Sequence, residues 1–229
     1  MRRKNAWTTY NKKQLDELEK LCKNYLKFLD KGKTERECVK QIVKQAEEKG
    51  YVNLADITKD KKALKAGDKV YSVCMDKTVA LFQIGKKKLE KGMNILGAHI
   101  DSPRMDVKQN PLYESEEFAY LDTHYYGGIK KYQWVTLPLA LHGVVVKKDG
   151  TVITVNVGED KNDPVFCVTD LLIHLAGEQM EKKANKVIEG ENLDVLVGSK
   201  PLEGKEKMDM REVRPCKGVC FYIGDNGKH

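Results

Sequence analysis

The sequence predicts an α/β protein with a β-rich second part. Two amphipathic helical patterns come first, and from Lys69 the hydrophobic pattern changes to short β-rich runs. Beyond Pro103, valine-rich runs alternate with glycine turns, which is typical of antiparallel strands. The 229 residues, 41% of them hydrophobic, are enough for one large domain or two modest ones.

The first 50 residues predict two helices. From Gln14 to Leu29, apolar residues recur at helical spacing. Thr34, followed three residues later by Glu37, has the pattern of a capping box and predicts the start of a second helix. Gly50 lies where a left-handed C-terminal cap belongs. Both helices carry lysine and glutamate on the opposite face, which indicates a solvated surface.

Three short β-rich runs follow the helices. Val70–Val73 and Thr78–Gln83 are separated by a turn and predict a hairpin. Asn94–Ala98 predicts a fully buried strand, because its apolar residues do not alternate with polar ones. Helices followed by a buried strand favour an α/β layer.

The chain changes character near residue 103, where we place a domain boundary. Valine-rich runs then predict strands at Val135–Leu141, Gly143–Lys147 and Thr151–Val157. Lys147–Gly150 predicts a hairpin turn between the last two. Val168 to Lys186 has helix-like spacing. From Gly198 little periodicity remains, so residues 207–229 are expected to form an atypical tail.

Composition excludes several classes of protein. No segment approaches the ~18 consecutive apolar residues of a transmembrane helix, so we expect no membrane partner. The net charge of +7 is concentrated in the N-terminal helices, where lysines alternate with glutamates, and no nucleic-acid-binding motif accompanies them. The start MRRKNAW lacks the apolar region of a secretory signal, and the six cysteines are scattered. These features predict a cytoplasmic protein with free thiols that does not bind nucleic acid.

The most informative stretch for chemistry is Gly97–Pro103, which contains His99 and Asp101. At the end of a strand, residues two apart point to the same side. A neutral imidazole is a zinc ligand, and a nearby carboxylate can orient it. A His–Asp pair that satisfies polar groups at a strand end is the alternative. A catalytic zinc also needs about three protein ligands.

The other histidines and cysteines are weaker candidates. His174 lies within the apolar run Leu171–Leu175, where a lone histidine is more often a core or interface residue than a ligand. His142 is expected to cap a strand, and His124 to lie in an aromatic loop. A metal site could be imagined from Cys216, Cys220 and His229. The sequence does not favour it, because the second cysteine pair of such sites is missing.

Several motifs occur together in one order along the chain. They are Gly97–Arg104, Tyr126–Ile129 with Trp134, Leu137–Gly143, and Leu172–Leu175. Over roughly residues 5–205, their order and spacing resemble the aspartyl aminopeptidase family of zinc metallopeptidases, and the bacterial branch most of all.

The resemblance implies a mixed-sheet α/β metallopeptidase domain interrupted by a β-rich inserted dimerisation domain. On this basis, residues 1–102 are the N-terminal part of the metallopeptidase domain, 103–206 the inserted domain and 207–229 the tail. It also implies a homo-oligomer that is built from dimers and reaches a dodecamer in full-length relatives.

The same resemblance implies removal of N-terminal, often acidic, residues from peptide substrates at a two-zinc centre. His99 matches the first metal ligand, and Asp101 the catalytic-site aspartate that orients it. His174 matches a histidine that is either a metal ligand or a substrate-facing group reaching across the dimer. Tyr126–Gly128 matches a family segment to which we assign no chemical role.

The remaining zinc ligands and the glutamate base of the family follow the inserted domain, beyond residue 229. One histidine and one aspartate cannot position two zinc ions. We therefore expect a truncated, catalytically incomplete chain. The alternative is a non-catalytic self-association or interaction module derived from the same family.

Overall fold

The computed structural model of the protein describes residues 4–199 and the backbone of residues 219–225. Its contacts divide the chain into a first unit, residues 1–101, and a second unit, residues 102–229. Helices and a small sheet form the first unit, and a larger sheet forms most of the second. This composition confirms the α/β class.

The first unit begins with helices whose ends are capped by local side chains. They are α1 (Lys12–Lys31), α2 (Glu35–Glu47) and α3 (Leu54–Lys59). The Thr34 Oγ1 accepts a hydrogen bond from the Glu37 amide at 3.3 Å, and the Glu37 carboxylate accepts one from the Thr34 amide at 2.9 Å. Gly50 follows α2 with a φ of +81°. The predicted capping box and left-handed residue are confirmed.

A three-stranded sheet completes the first unit. It has the order β1 (Val52–Asn53), β2 (Lys69–Cys74), β3 (Thr78–Gln83), with β1 parallel and β3 antiparallel to β2. The predicted hairpin is thus confirmed. The buried hydrophobic residues of this unit come from α2 and β2, namely Cys38, Val39, Ala46, Val70 and Tyr71.

The predicted buried strand Asn94–Ala98 is wrong for this structure. The segment is irregular, the Ile95 side chain is 80% exposed, and the Leu96 side chain is fully exposed. A strand needs a hydrogen-bonded neighbour, and none of the described strands lies beside this segment. Apolar composition alone was therefore insufficient to form it.

A seven-stranded sheet dominates the second unit, and every neighbouring pair in it is antiparallel. Its order is β7-β6-β10-β4-β5-β9-β8. The strands are β4 (Arg104–Ser115), β5 (Phe118–Tyr126), β6 (Leu139–Val146), β7 (Val152–Val157), β8 (Cys167–Val168), β9 (Val195–Gly198) and β10 (Val219–Asp225). The predicted turn between β6 and β7 is confirmed, with Gly150 at a φ of +86°.

The longest hairpin, formed by β4 and β5, was missing from the predicted elements. Glu116 and Glu117 form its turn with φ values of +49° and +66°. Pro111 lies within β4, where the register shifts between Val107 and Leu112. A proline cannot donate a ladder hydrogen bond, and the irregularity accommodates it. Because proline is rare within strands, the sequence did not predict β4, although its alternating side chains favour a strand.

Strand β10 lies between β4 and β6. It pairs with β6 from Val219↔Val145 to Asp225↔Leu139. The expectation of an atypical tail over residues 207–229 does not hold for this segment, because its hydrogen bonds come from strands far away in the sequence. The other residues of that stretch, with Cys216 and His229, lie outside the described residues, and only the backbone of Cys220 is described.

The predicted helix over Val168–Lys186 is wrong. Val168 ends strand β8, and the rest of the stretch contains only a 3-10 turn, Ile173–Leu175, and the four-residue helix α4, Gly177–Met180. Neither has a side-chain hydrogen bond at its N-terminus, and the large apolar side chains around them are exposed, although Ala176 is buried. Because an isolated short helix pays a nucleation cost, helical spacing without packing does not produce one.

The core of the second unit is formed by side chains of the large sheet and of its connecting loops. Its buried members are Met105, Leu139, Val168, Ile188, Leu193 and Val195, and Trp134 packs against them. Within the described part of the chain, no helix combines the length and the apolar character needed to cross a bilayer.

Candidate functional site

The structure brings His99 and Asp101 together at the end of the first unit. The His99 Nδ1 lies 2.9 Å from the Asp101 carbonyl oxygen and 3.4 Å from the Asp101 Oδ1. The pair lies in an irregular segment rather than on a strand, so strand alternation does not create the contact. The His99 side chain is 84% exposed.

This geometry leaves one ring nitrogen of His99 available. With the proton on Nδ1, the ring donates toward the Asp101 oxygens and turns the lone pair of Nε2 to the outside. Metal-binding histidines use this arrangement, because the partner oxygen fixes the tautomer and raises ligand basicity. The same contact is also compatible with a simple polar pair in a loop.

A complete zinc centre does not fit the residues described. Within residues 4–199, no three histidine, cysteine, aspartate or glutamate side chains form a group able to hold a metal ion. Zinc takes about three protein ligands in catalytic sites and four in structural ones. His99 and Asp101 therefore supply one ligand and its orienting partner, and the other ligands have to come from elsewhere.

His174 lies in the second unit, within the 3-10 turn Ile173–Leu175. Its side chain and those of Leu172, Ile173 and Leu175 are exposed. The interpretation as a buried core histidine is thus wrong, and an interface histidine or a ligand completed by another group remains. We call the exposed stretch Leu171–Leu175 the 171–175 strip.

The start of the second unit is held by Arg104, the last residue of the Gly97–Arg104 motif. Its Nε donates to the Asp106 Oδ1 at 2.8 Å, and its guanidinium lies 4.3 Å from the centre of the Tyr126 ring. Arg104 also pairs with Tyr126 in the β4–β5 ladder. Gly127 follows at a φ of +76° and lies against Pro103. Two motifs that are distant in sequence therefore meet at one place in this unit.

Two other histidines, His142 and His124, lie within strands of the large sheet. His142 lies within β6 and is buried, with its Nε2 3.0 Å from the Glu159 Oε1. His124 lies in β5 opposite Asp106. The expected strand cap and aromatic loop are therefore wrong, because both residues are internal to strands.

A polar network that the sequence did not reveal links β4 and β5 to the segment before β9. The Lys108 Nζ contacts Asp122 at 2.8 Å and Glu191 at 2.9 Å, and these bonds raise the lysine pKa. The Tyr113 hydroxyl donates to the Asp194 Oδ2 at 2.6 Å, and burial raises the pKa of Asp194. Glu191 lies 83 residues from Lys108, and Asp194 lies 81 residues from Tyr113, so spacing could not have identified these two bonds.

Comparison with known proteins gives a consistent result. The model of a family described as "Aminopeptidase I zinc metalloprotease (M18)" matches residues 28–223. A probable M18 family aminopeptidase 1 of Clostridium acetobutylicum is 59% identical over 209 residues, covering 91% of this chain and 45% of that protein.

Solved structures with similar folds include two of interest. An M18 aminopeptidase of Thermotoga maritima matches 99% of this chain and 51% of its own, at 38% identity and a TM-score of 0.86. The S. cerevisiae mApe1 dodecamer shares the fold at 18% identity and a TM-score of 0.62, over 92% of this chain and 49% of its own. The chain thus spans about half the length of the relatives it matches.

Proposed function

The chain belongs to the M18 family of aminopeptidases, and on that premise we propose that it is the N-terminal portion of a zinc-dependent aminopeptidase. The substrate is a peptide, from which an N-terminal acidic residue is removed. The observation that supports this most directly is the family match over residues 28–223, which includes the ordered motifs around His99 and His174.

His99 is proposed as a zinc ligand in a two-zinc centre, and Asp101 as the catalytic-site residue that orients it. The 2.9 Å and 3.4 Å contacts support this assignment, because they leave the Nε2 of His99 exposed for a metal. His174 is proposed as a second metal-site residue. Its exposed side chain supports a role completed by another polypeptide.

Residues 1–229 are proposed to be catalytically incomplete by themselves. One imidazole and one carboxylate lack the coordination that would activate a water for peptide hydrolysis. The test is hydrolysis of aspartyl, glutamyl and leucyl p-nitroanilides by the purified chain with added zinc, and the full-length C. acetobutylicum relative is the positive control. We expect no turnover above the buffer blank from this chain. Turnover abolished by His99→Ala would contradict incompleteness.

The proposed domain bounds are 1–102 for the metallopeptidase part, 103–206 for an inserted dimerisation domain and 207–229 for the remainder. We propose a cytoplasmic homo-oligomer that is built from dimers, with neither nucleic acid nor membrane among its partners. The dodecameric S. cerevisiae protein of the same fold supports the oligomer by analogy.

The second candidate function is a non-catalytic self-association module. The exposed 171–175 strip favours it, because contiguous exposed apolar side chains mark interaction sites. Light scattering after size exclusion tests self-association, and the p-nitroanilide assay separates the module from the enzyme. A strict monomer at all concentrations argues against the module, whereas a dimer that is lost in Leu172→Lys and shows no turnover supports it.

A further inference from the structure

Strand β7 (Val152–Val157) lies at one edge of the seven-stranded sheet. Among the described residues it pairs only with β6, in an uninterrupted register from Leu141↔Val157 to Val146↔Val152. A strand bonds each neighbour through alternate residues, so half of the residues of β7 direct their backbone groups away from β6. The outer side of β7 is therefore an open strand edge in the part of the chain that the structure describes.

The hairpin turn identifies the residues that face outward. The Lys147 amide donates to the Thr151 carbonyl at 2.8 Å, which makes these two residues a hydrogen-bonded pair. Hydrogen-bonded and non-hydrogen-bonded pairs alternate along an antiparallel ladder. In the β6–β7 register, Val152, Thr154 and Asn156 therefore belong to non-hydrogen-bonded pairs. Their amide and carbonyl groups point away from β6, toward the open edge.

Strand β7 lacks the features that protect edge strands from other chains. Natural edges are blunted by charged residues, prolines, bulges or a very short length. Strand β7 has six residues without a charge, a proline or a register shift, and its Val152 and Ile153 side chains are 58% and 42% exposed. The opposite edge of the sheet is blunted, because β8 has only two residues. The β7 edge is thus the one suited to strand addition.

The sequence of β7 fits a second copy of itself in antiparallel orientation. With a two-fold axis at Thr154, this residue lies opposite the Thr154 of the second copy, and Val152 lies opposite Asn156. Every outward amide and carbonyl of both strands is then bonded, in about six hydrogen bonds. On the other face of the sheet, the same register places Ile153 opposite Val155, which is an apolar pair.

The charges at the two ends of β7 favour the same orientation. The turn before β7 is basic, with the exposed Lys147 and Lys148 against Asp149. The segment after β7 has three acidic residues and one lysine, namely Glu159, Asp160, Lys161 and Asp163. Antiparallel pairing places the basic end of each copy beside the acidic end of the other, whereas parallel pairing would place like charges together.

We propose that two copies of this chain associate edge to edge through β7, antiparallel about a two-fold axis at Thr154, so that their large sheets become one continuous sheet. The pairing gives a surface to the homo-oligomer proposed above and rests on that part of the proposed function. It requires neither zinc nor peptidase activity. Because the interface is small, we expect a dissociation constant in the micromolar range.

Hydrogen exchange of the purified chain tests the pairing at single residues. At a concentration where about nine-tenths of the chain is dimeric, the outward amides of Val152, Thr154 and Asn156 should exchange about 10-fold more slowly than in the monomer. The amides of Ile153 and Val155 already bond to β6, so their exchange should change less. Alternation of the effect along the strand is specific to edge pairing.

Charge substitutions at Thr154 test the register. Because Thr154 lies opposite itself, Thr154→Lys and Thr154→Glu should each weaken the dimer about tenfold through like-charge repulsion. An equimolar mixture of the two variants should associate as well as the unsubstituted chain, since each lysine then faces a glutamate. Light scattering after size exclusion measures all three samples, and an unfolded variant would not be rescued by mixing.

The matched control is Thr78→Lys, which changes an exposed threonine on β3, the edge strand of the small sheet. It should leave the dimer unchanged. Unchanged Trp134 fluorescence and far-UV circular dichroism verify that each variant is folded.

Several results would overturn the pairing. A dimer that persists in Thr154→Lys, outward amides that exchange equally fast in dimer and monomer, or charge variants that do not associate on mixing would overturn it while the proposed homo-oligomer stands. If Leu172→Lys abolishes the persisting dimer, the 171–175 strip is its interface. Loss of the dimer in Thr78→Lys would assign it to the other edge strand. A strict monomer at all concentrations would overturn both the pairing and the homo-oligomer.

Discussion

The two units differ in how their helices and strands are stabilised. In the second unit, large side chains such as Met105, Leu139 and Leu193 are completely buried against the sheet. In the first unit, α1 buries none of its residues, although it has a complete capping box at Asn11 and Gln14. Local hydrogen bonds can thus define a helix in the structure where packing contributes little, and the two kinds of stabilisation should respond differently to mutation.

The largest expected effect comes from truncating the core of the second unit. Leu139→Ala should lower its free energy of unfolding by about 2–5 kcal/mol, because it removes apolar contacts and leaves a cavity. Urea titration followed by Trp134 fluorescence measures this in a Trp7→Phe background, since Trp134 packs against that core.

The matched control is Leu21→Ala on α1. Its side chain is exposed, so far-UV circular dichroism should show a change within about 0.5 kcal/mol. Equal destabilisation by the two substitutions would remove the contrast between the units.

An intermediate effect is expected at the start of α2. Thr34→Ala removes the side chain that accepts from the Glu37 amide, and should destabilise the first unit by about 1 kcal/mol. Urea titration followed by far-UV circular dichroism measures the loss. Thr34→Ser, which keeps the hydroxyl, should recover most of it, whereas equal losses in both variants would show that the cap contributes nothing.

The smallest effect concerns the pH dependence of the second unit. Burial raises the pKa of Asp194, with a hydrogen bond from Tyr113 opposing the shift and Asp122 and Lys108 nearby. The folded state therefore holds the proton more tightly than the unfolded state, so stability is greatest below the unfolded pKa and falls as the pH rises through the folded pKa.

Asp194→Asn should remove this fall, because the amide does not ionise in the range. Urea midpoints from Trp134 fluorescence across acidic pH test it. Asp149→Asn is the control of opposite sign, because hydrogen bonds from Thr151 lower the pKa of the exposed Asp149. Its stabilising effect is present above the unfolded pKa and is lost as the pH falls. An unchanged profile in Asp194→Asn would contradict the assignment.

The candidate site shows the same division between local and distant information. The His99–Asp101 contact involves residues two apart, so the sequence could suggest it even though the expected strand did not form. The Lys108–Glu191 and Tyr113–Asp194 bonds join segments more than 80 residues apart, and no local pattern announces them.

The sequence by itself determined the features that depend on neighbouring residues. The capped helices α1 and α2, the β2–β3 and β6–β7 hairpins and the order of the family motifs are of this kind. Their hydrogen bonds close over a few residues, so composition and spacing are sufficient.

Only the tertiary structure decided which apolar segments became regular. Strand β10 formed between two strands distant in sequence, whereas Asn94–Ala98 and Val168–Lys186, which also contain apolar residues, remained largely irregular. The physical reason is that a strand or helix of this kind is stabilised by neighbours that bury it. Whether those neighbours are present is a property of the assembled fold and not of the segment.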